Sequence, residues 1–174
     1  MKGAETTFQE LFSGQKTYRI PYFQRQYDWK DKNWEDTWED VLAVTEAIPP
    51  CRHFMGAIVT KCLTTAPQGV SSFLVIDGQQ RLISLSLLLA ALRDAAKGCN
   101  PALAKRIEGL YLRNEYASGS DAYKILPTSR DQRAYFSTID ASPRDQASRI
   151  VAAYRYFSER IARFRESHND EALA

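Results

Sequence analysis

Histidine and cysteine are scarce in this chain, and their scarcity excludes most metal chemistry. Only His53 and His168 occur among 174 residues, too few for a histidine-rich centre. The three cysteines, Cys51, Cys62 and Cys99, are odd in number and show no C-x-x-C spacing. That argues against both a disulfide framework and a four-ligand zinc site. The opening MKGAETTFQELF has no apolar signal core. The longest apolar stretch, Leu82 to Leu92, contains Ser84 and Ser86 and stops at Arg93. A bilayer span takes about 20 residues, so no membrane partner is expected, and the setting reads as soluble, reducing and cytoplasmic. Internal repeats, low-complexity tracts, a P-loop and a G-x-G-x-x-G fingerprint are also missing. Net charge is only +2, too small to argue for any partner by itself.

Apolar residues make up 44% of the chain and charged residues 25%, which suits a packed core and not disorder. Charge is unevenly spread. Residues 1–50 carry a net −3, and residues 124–165 a net +5. Thr6 or Thr7 caps a short helix bearing Phe8, Leu11 and Phe12, and Gly14 ends it. A strand is expected over residues 17–20, stopped by Pro21, and a helix over residues 31–47 with Trp34, Trp38, Leu42 and Thr45 on one face. Residues 53–60 have the β-branched content of a buried strand, with Gly56 inside it. A second strand, 73–76, runs into DGQQR (77–81) and then into the most apolar helix, which Gly98 closes. After Pro101 the pattern is helical, with a break at 117–128, and Ile150, Tyr154, Phe157 and Ile161 form one stripe. The expected fold class is α+β. A mixed-sheet core occupies residues 1–98 and a helical extension residues 99–174, the polar end suggesting a fragment of a longer protein.

The strand–DGQQR–helix junction is the strongest local signal. An abrupt strand-to-helix corner leaves N–H groups unpaired at the helix start, and these favour an anion such as phosphate. Gly78 offers close backbone approach, Gln79 and Gln80 neutral donors and acceptors, and Arg81 a planar fork for phosphate oxygens. Asp77, at the strand end, is placed to hold Mg²⁺ or orient a water. The competing reading is a plain helix start, with Asp77 as N-cap and Gly78 serving the turn. Tyr22, Gln24, Arg25, Tyr27 and Trp29 crowd into IPYFQRQYDW (20–29). Aromatics interleaved with Arg and Gln suit base stacking and phosphate contact, and equally suit loop packing. His53 reads as a surface or hydrogen-bonded histidine, and Trp34 and Trp38 as core. The late basic residues, among them Lys124, Arg130 and Arg133, read as a solvated face or a patch facing DNA.

At these residues the chain resembles the N-terminal domain of GmrSD-type modification-dependent restriction systems and of the related SspE-type, phosphorothioate-sensing anti-phage effectors. The resemblance rests on IPYFQRQYDW (20–29), the Trp34/Trp38–Asp40 helix, HFMGAIV (53–59) and VIDGQQRLISLSLLLAAL (75–92). Weaker similarity lies in residues 124–139 and 150–161. It implies a ParB/sulfiredoxin-like core whose turn before a helix binds nucleotide phosphate. It further implies nucleoside triphosphate hydrolysis, GTP or ATP with Mg²⁺, through Asp77, Gly78, Gln79, Gln80 and Arg81. Gln24, Arg25 and Tyr27 would lie near the same pocket or contact modified DNA, with Tyr22, Arg130 and Arg133 as further DNA contacts. The implied partners are DNA and a nuclease domain C-terminal to this one or on a partner chain; no nuclease motif occurs in these residues. The alternative is a binding module for modified DNA, phosphorothioate DNA for example, without turnover.

Overall fold

The structure, a computed structural model, describes residues 5–47, 53–66, 69–142 and 147–168. In chain order the elements are α1 (Phe8–Phe12), β1 (Lys16–Arg19), α2 (Asp31–Glu46), β2 (Val59–Thr64), β3 (Ser71–Asp77), α3 (Gln79–Ala96), α4 (Pro101–Ile107), β4 (Ile125–Leu126), α5 (Ser129–Ile139) and α6 (Arg149–His168). A π-helical turn, Glu108–Leu112, continues α4, and a 3-10 turn, Gly119–Ala122, precedes β4. The four strands form one mixed sheet in the order β2-β3-β1-β4. β3 lies antiparallel to β2 and parallel to β1, and β1 is parallel to β4. The α+β expectation therefore holds.

α3 organises the core. Its sequence is apolar around the whole circumference, which suits a helix covered on every side. Leu82, Ile83, Leu87 and Ala90 are buried, as are Ser84 and Ser86. The two serines remain inside because each hydroxyl meets a phenol: Ser84 that of Tyr27 at 2.6 Å, Ser86 that of Tyr135 at 2.7 Å. The stripe Ile150, Tyr154, Phe157 and Ile161 of α6 is buried in the same cluster as α3 and Trp34 and Trp38 of α2. Thr7 caps α1 in a reciprocal box with Glu10.

Three expectations need correction. The strand predicted over residues 53–60 begins only at Val59 and runs to Thr64. Upstream, Gly56 has φ +91°, and the Arg81 guanidinium sits 2.5 Å from where a Cβ would be. Arg81 also donates to the Ala57 carbonyl at 2.9 Å, so this backbone serves a side chain and not a ladder. Second, the break expected at 117–128 holds a strand, because β4 pairs through Tyr18–Ile125 and Arg19–Leu126. One apolar cluster includes residues of both halves. Third, the α2 stripe is narrower than its spacing suggested: Leu42 is half-buried and Thr45 exposed.

Lys124 also departs from the solvated-face reading. It is 2% exposed, and its ammonium donates to the carbonyls of Phe12, at 3.0 Å, and Gly14. Burial, helped by the nearby Lys16 charge, pushes it down to about 8. Cys62 and Cys99 are free and exposed, and Cys51 lies outside the described residues. No helix among the described residues is long and apolar enough to cross a membrane.

Candidate functional site

The β3–α3 corner turns on Gly78, which is the N-cap of α3 and has φ +90°. Only glycine adopts that region at little cost. A Cβ there would meet the Ala57 carbonyl oxygen at 3.0 Å and Ile58 at 3.1 Å. The glycine thus makes room for the incoming chain at 57–58, and it also lines the hollow described below. Asp77 is the last residue of β3 and not the helix cap. The first intrahelical bond runs from Leu82 N–H to the Gly78 carbonyl. The amides of residues 79–81 are the N-terminal donors that an α-helix cannot pair internally.

The loop 24–29 is fastened onto this corner by glutamines from both motifs. The Gln24 side-chain amide donates to the carbonyls of Val75 at 3.2 Å and Ile76 at 2.8 Å. Gln80 Oε1 accepts from the backbone amides of Asp28 (2.9 Å) and Trp29 (3.3 Å), while its Nε2 donates to the Gln26 carbonyl at 3.0 Å. Gln79 Nε2 donates to the Arg25 carbonyl at 3.2 Å. Tyr27 N–H reaches the Asp131 carboxylate of α5 at 2.9 Å. The two sequence blocks therefore build one object: each supplies the backbone groups that the other's side chains satisfy.

What remains uncommitted faces a hollow of about 240 Å³, lined by Gln24, Arg25, Asp77, Gly78, Gln79 and Arg81 together with Trp29 and Gln80. Arg25 and Asp77 are exposed and make no side-chain hydrogen bond or ion pair with the described residues. Arg81 spends one N–H on Ala57. Gln79 is 8% exposed, yet its Oε1 is buried without a partner. An orphaned buried acceptor is costly, so the position calls for a donor from whatever occupies the hollow. Two guanidiniums, one carboxylate and the helix start thus surround a space fit for an anion that also brings a hydroxyl or water.

Two expected site residues lie differently. Tyr27 is 3% exposed and does not line the hollow. Its hydroxyl accepts from Trp34 Nε1 at 2.8 Å and contacts Ser84, so it pins α2, the loop and α3 together and cannot stack on a base. Burial pushes its phenol well above the ordinary range, despite those hydrogen bonds. Gln80 lines the hollow, and both ends of its amide are hydrogen-bonded to the loop, so it clamps the loop to the corner. Tyr22, 90% exposed, and the exposed Arg130 and Arg133 lie outside the hollow. Trp29 is the wall residue that the motif reading quoted without assigning, and its crowding with Arg25 was the available signal.

Among the described residues no cluster of three or more His, Cys, Asp or Glu side chains could hold a metal alone. Mg²⁺ characteristically takes one or two carboxylates and completes its oxygen shell with substrate phosphates and water. The uncommitted Asp77 carboxylate beside an anion site fits that donor set. A family model, described as the N-terminal domain of the GmrSD restriction endonuclease, matches residues 8–173. No curated protein matches the chain.

Proposed function

The chain belongs to the GmrSD restriction-endonuclease N-terminal domain family, and from that premise we propose that its hollow binds and hydrolyses a nucleoside triphosphate, GTP or ATP. The observation that carries the reading is the buried, unpartnered Oε1 of Gln79 beside the uncommitted Asp77 and Arg25. A corner needed only for folding would have no reason to keep an acceptor, an acid and a cation unspent in one place.

The terminal phosphates rest on the amides of residues 79–81, with Arg25 and Arg81 countering the charge of the three equatorial oxygens. Gln79 Oε1 accepts a hydrogen bond from the attacking water and orients its lone pair toward the γ-phosphorus. The water oxygen bonds to phosphorus as the bond to the β–γ bridging oxygen breaks, and the water's proton leaves with the inorganic phosphate. Mg²⁺, held by Asp77 and phosphate oxygens, supplies further charge neutralisation when bound. Gln24 and Gln80 keep the loop, and hence Arg25, at the right distance.

In the restriction system this turnover would report modified DNA to a nuclease domain located C-terminally or on a partner chain. Phosphate release from GTP and from ATP with Mg²⁺ tests the enzymatic part. Asp77→Ala and Arg81→Ala are each expected to lower the rate about 10²- to 10³-fold, the usual cost of one charge-stabilising group. Equal rates in wild type and both variants would end the assignment.

A second reading has its own support. Tyr22 stands 90% exposed in an edge-on pair with the 70% exposed Phe23, and Arg130 and Arg133 are exposed cations on α5 without an ion pair among the described residues. α5 is joined to the loop through Asp131 and Tyr27. These residues suit contact with modified DNA, phosphorothioate DNA for example, without turnover. Affinity for a duplex through several phosphates must fall steeply with salt. Absence of binding at about 50 mM salt would remove this reading.

A further inference from the structure

No residue of the block HFMGAIV (53–59) lines the hollow, yet its backbone is gripped by the helix start that does. Gly78 leaves room for the Ala57 carbonyl and Ile58, and three residues further on Arg81 packs against Gly56. Residues three apart at a helix start lie on one side, so segment 56–58 is held at two points by the same turn. At Gly56 a Cβ would lie 2.5 Å from Arg81 Cζ, 2.6 Å from Nη2 and 2.8 Å from Nη1. Near-equal distances to these three atoms mean that the face of the guanidinium, not its edge, covers the glycine. Nη1 donates to the Ala57 carbonyl at 2.9 Å, and the side chain makes no other hydrogen bond or ion pair among the described residues. Its remaining N–H groups lie in the same plane, beside the hollow that Arg81 lines.

Two features of this contact work against stability. A cation in the first turn of a helix opposes the helix dipole. Gly56, at φ +91°, loses more chain entropy on folding than any other residue type would. Together they fix a long, flexible side chain in one plane before any ligand arrives. An arginine fork matches phosphate oxygens through the geometry of that plane, and ordering it in advance removes the cost from binding and from the transition state. We propose that Gly56 and the Ala57 carbonyl form the seat of Arg81, positioning residues that act on the terminal phosphate through its guanidinium. This rests on the triphosphate reading of the hollow. Position 56 must then be glycine, because any side chain fills the seat. The far end of Arg81 is the part free to move, so a Cβ displaces the guanidinium.

Phosphate release from GTP and ATP, and calorimetric binding of inorganic tripolyphosphate, all with Mg²⁺ and the full chain, test this. Gly56→Ala is expected to lower the rate about 10- to 100-fold, as a misplacement of about 1 Å does. Tripolyphosphate affinity should fall about tenfold, the loss of one charge-assisted hydrogen bond. The decisive arm is Gly56→Ala combined with Arg81→Ala. With no guanidinium to displace, the glycine substitution should lower neither quantity further by more than about twofold. A full second loss in that background would overturn the seat by showing that Gly56 acts through the fold. Gly14→Ala controls for backbone strain, since Gly14 has φ +75° and nothing within 4 Å of its Cβ position. It should keep wild-type rate and affinity; a loss equal to that of Gly56→Ala would overturn the seat. Arg81→Lys serves if Gly56→Ala does not fold. An ammonium has no plane to rest on the glycine, so this variant should lose nearly as much rate as Arg81→Ala, and a wild-type rate would overturn the proposal. Wild-type rate and affinity in Gly56→Ala would overturn it directly. If wild type binds tripolyphosphate but hydrolyses neither nucleotide, hydrolysis falls and the affinity arm alone decides the seat. Failure of wild type to bind tripolyphosphate would overturn both.

Discussion

The two ends of α3 carry similar residue types and put them to opposite use. At the C-terminal end Arg93 is 1% exposed, and its guanidinium is consumed by the Asp94 carboxylate at 3.0–3.1 Å and the Ile139 carbonyl at 2.5 Å. Asp94 in turn takes Lys97 at 2.8 Å and the Tyr154 hydroxyl at 2.8 Å. Burial would raise the Asp94 carboxyl, but hydrogen bonds from Arg93 and Lys97 outweigh it and hold it below its usual range. Beside the N-terminal end, Arg25 and Asp77 have no such partners among the described residues, and Gln79 keeps an acceptor empty. Spent charges hold helices together, whereas the exposed charges beside Gly78 contribute little to the fold.

The sharpest way to break this comparison is Arg93→Ala. It strips a buried network and leaves Asp94 and the Ile139 carbonyl short of a donor, so stability should fall by about 3–5 kcal/mol. A urea denaturation series reads it, and a loss below about 1 kcal/mol would mean that the C-terminal network is not structural. Gln80→Ala, at the other end, should cost about 2–3 kcal/mol, because two loop amides and a carbonyl lose their partner. Gln79→Ala should cost clearly less than Gln80→Ala, since it forfeits one donor and removes an orphan acceptor. Similar melting temperatures for these two variants would contradict the division of labour between adjacent glutamines.

A third buried cation extends the comparison. Lys124 is spent on carbonyls and has no carboxylate, so its folded pKa is depressed to about 8 against an unfolded value of 10.5. Between those values the unfolded chain binds the extra proton, so stability should rise with pH, by about 2 kcal/mol from pH 8 to pH 10. Lys124→Met should flatten that rise, which guanidinium titrations across the range would record. Above pH 10 the trend reverses, because burial pushes the Tyr18 phenol up to about 12 and favours the protonated folded form. The smallest effect is expected where function is placed. Asp77→Asn should move stability by less than about 0.5 kcal/mol, as befits an exposed carboxylate without partners among the described residues, while lowering phosphate release about 10²- to 10³-fold. A large shift in its thermal melt would assign Asp77 to the scaffold.

Much of this was legible in the sequence. The β-branched run ending at a glycine announced the β3–α3 corner, and the four-residue spacings of α6 announced its buried stripe. β4 was not legible, since two residues carry no period. The strand offset at 53–60 escaped because its cause is Arg81, which packs on Gly56 from 25 residues further along the chain. Gln79 and Gln80 are chemically identical in sequence; only the fold of a loop some 50 residues upstream tells which amide is used up. Tyr27 looked like a stacking residue because rings near Arg suit either role, and only Ser84 and Trp34 decide it.

The bond from the Tyr27 amide to Asp131 joins residues 104 positions apart. During synthesis, which proceeds from the N-terminus, the QRQYDW and DGQQR blocks leave the ribosome long before that acceptor exists. A nascent chain thus holds both halves of the cleft without the anchor that sets their spacing. The anchor arrives only with α5, so termination between Arg81 and α5 yields a polypeptide with both sequence blocks and no Asp131 to hold Tyr27.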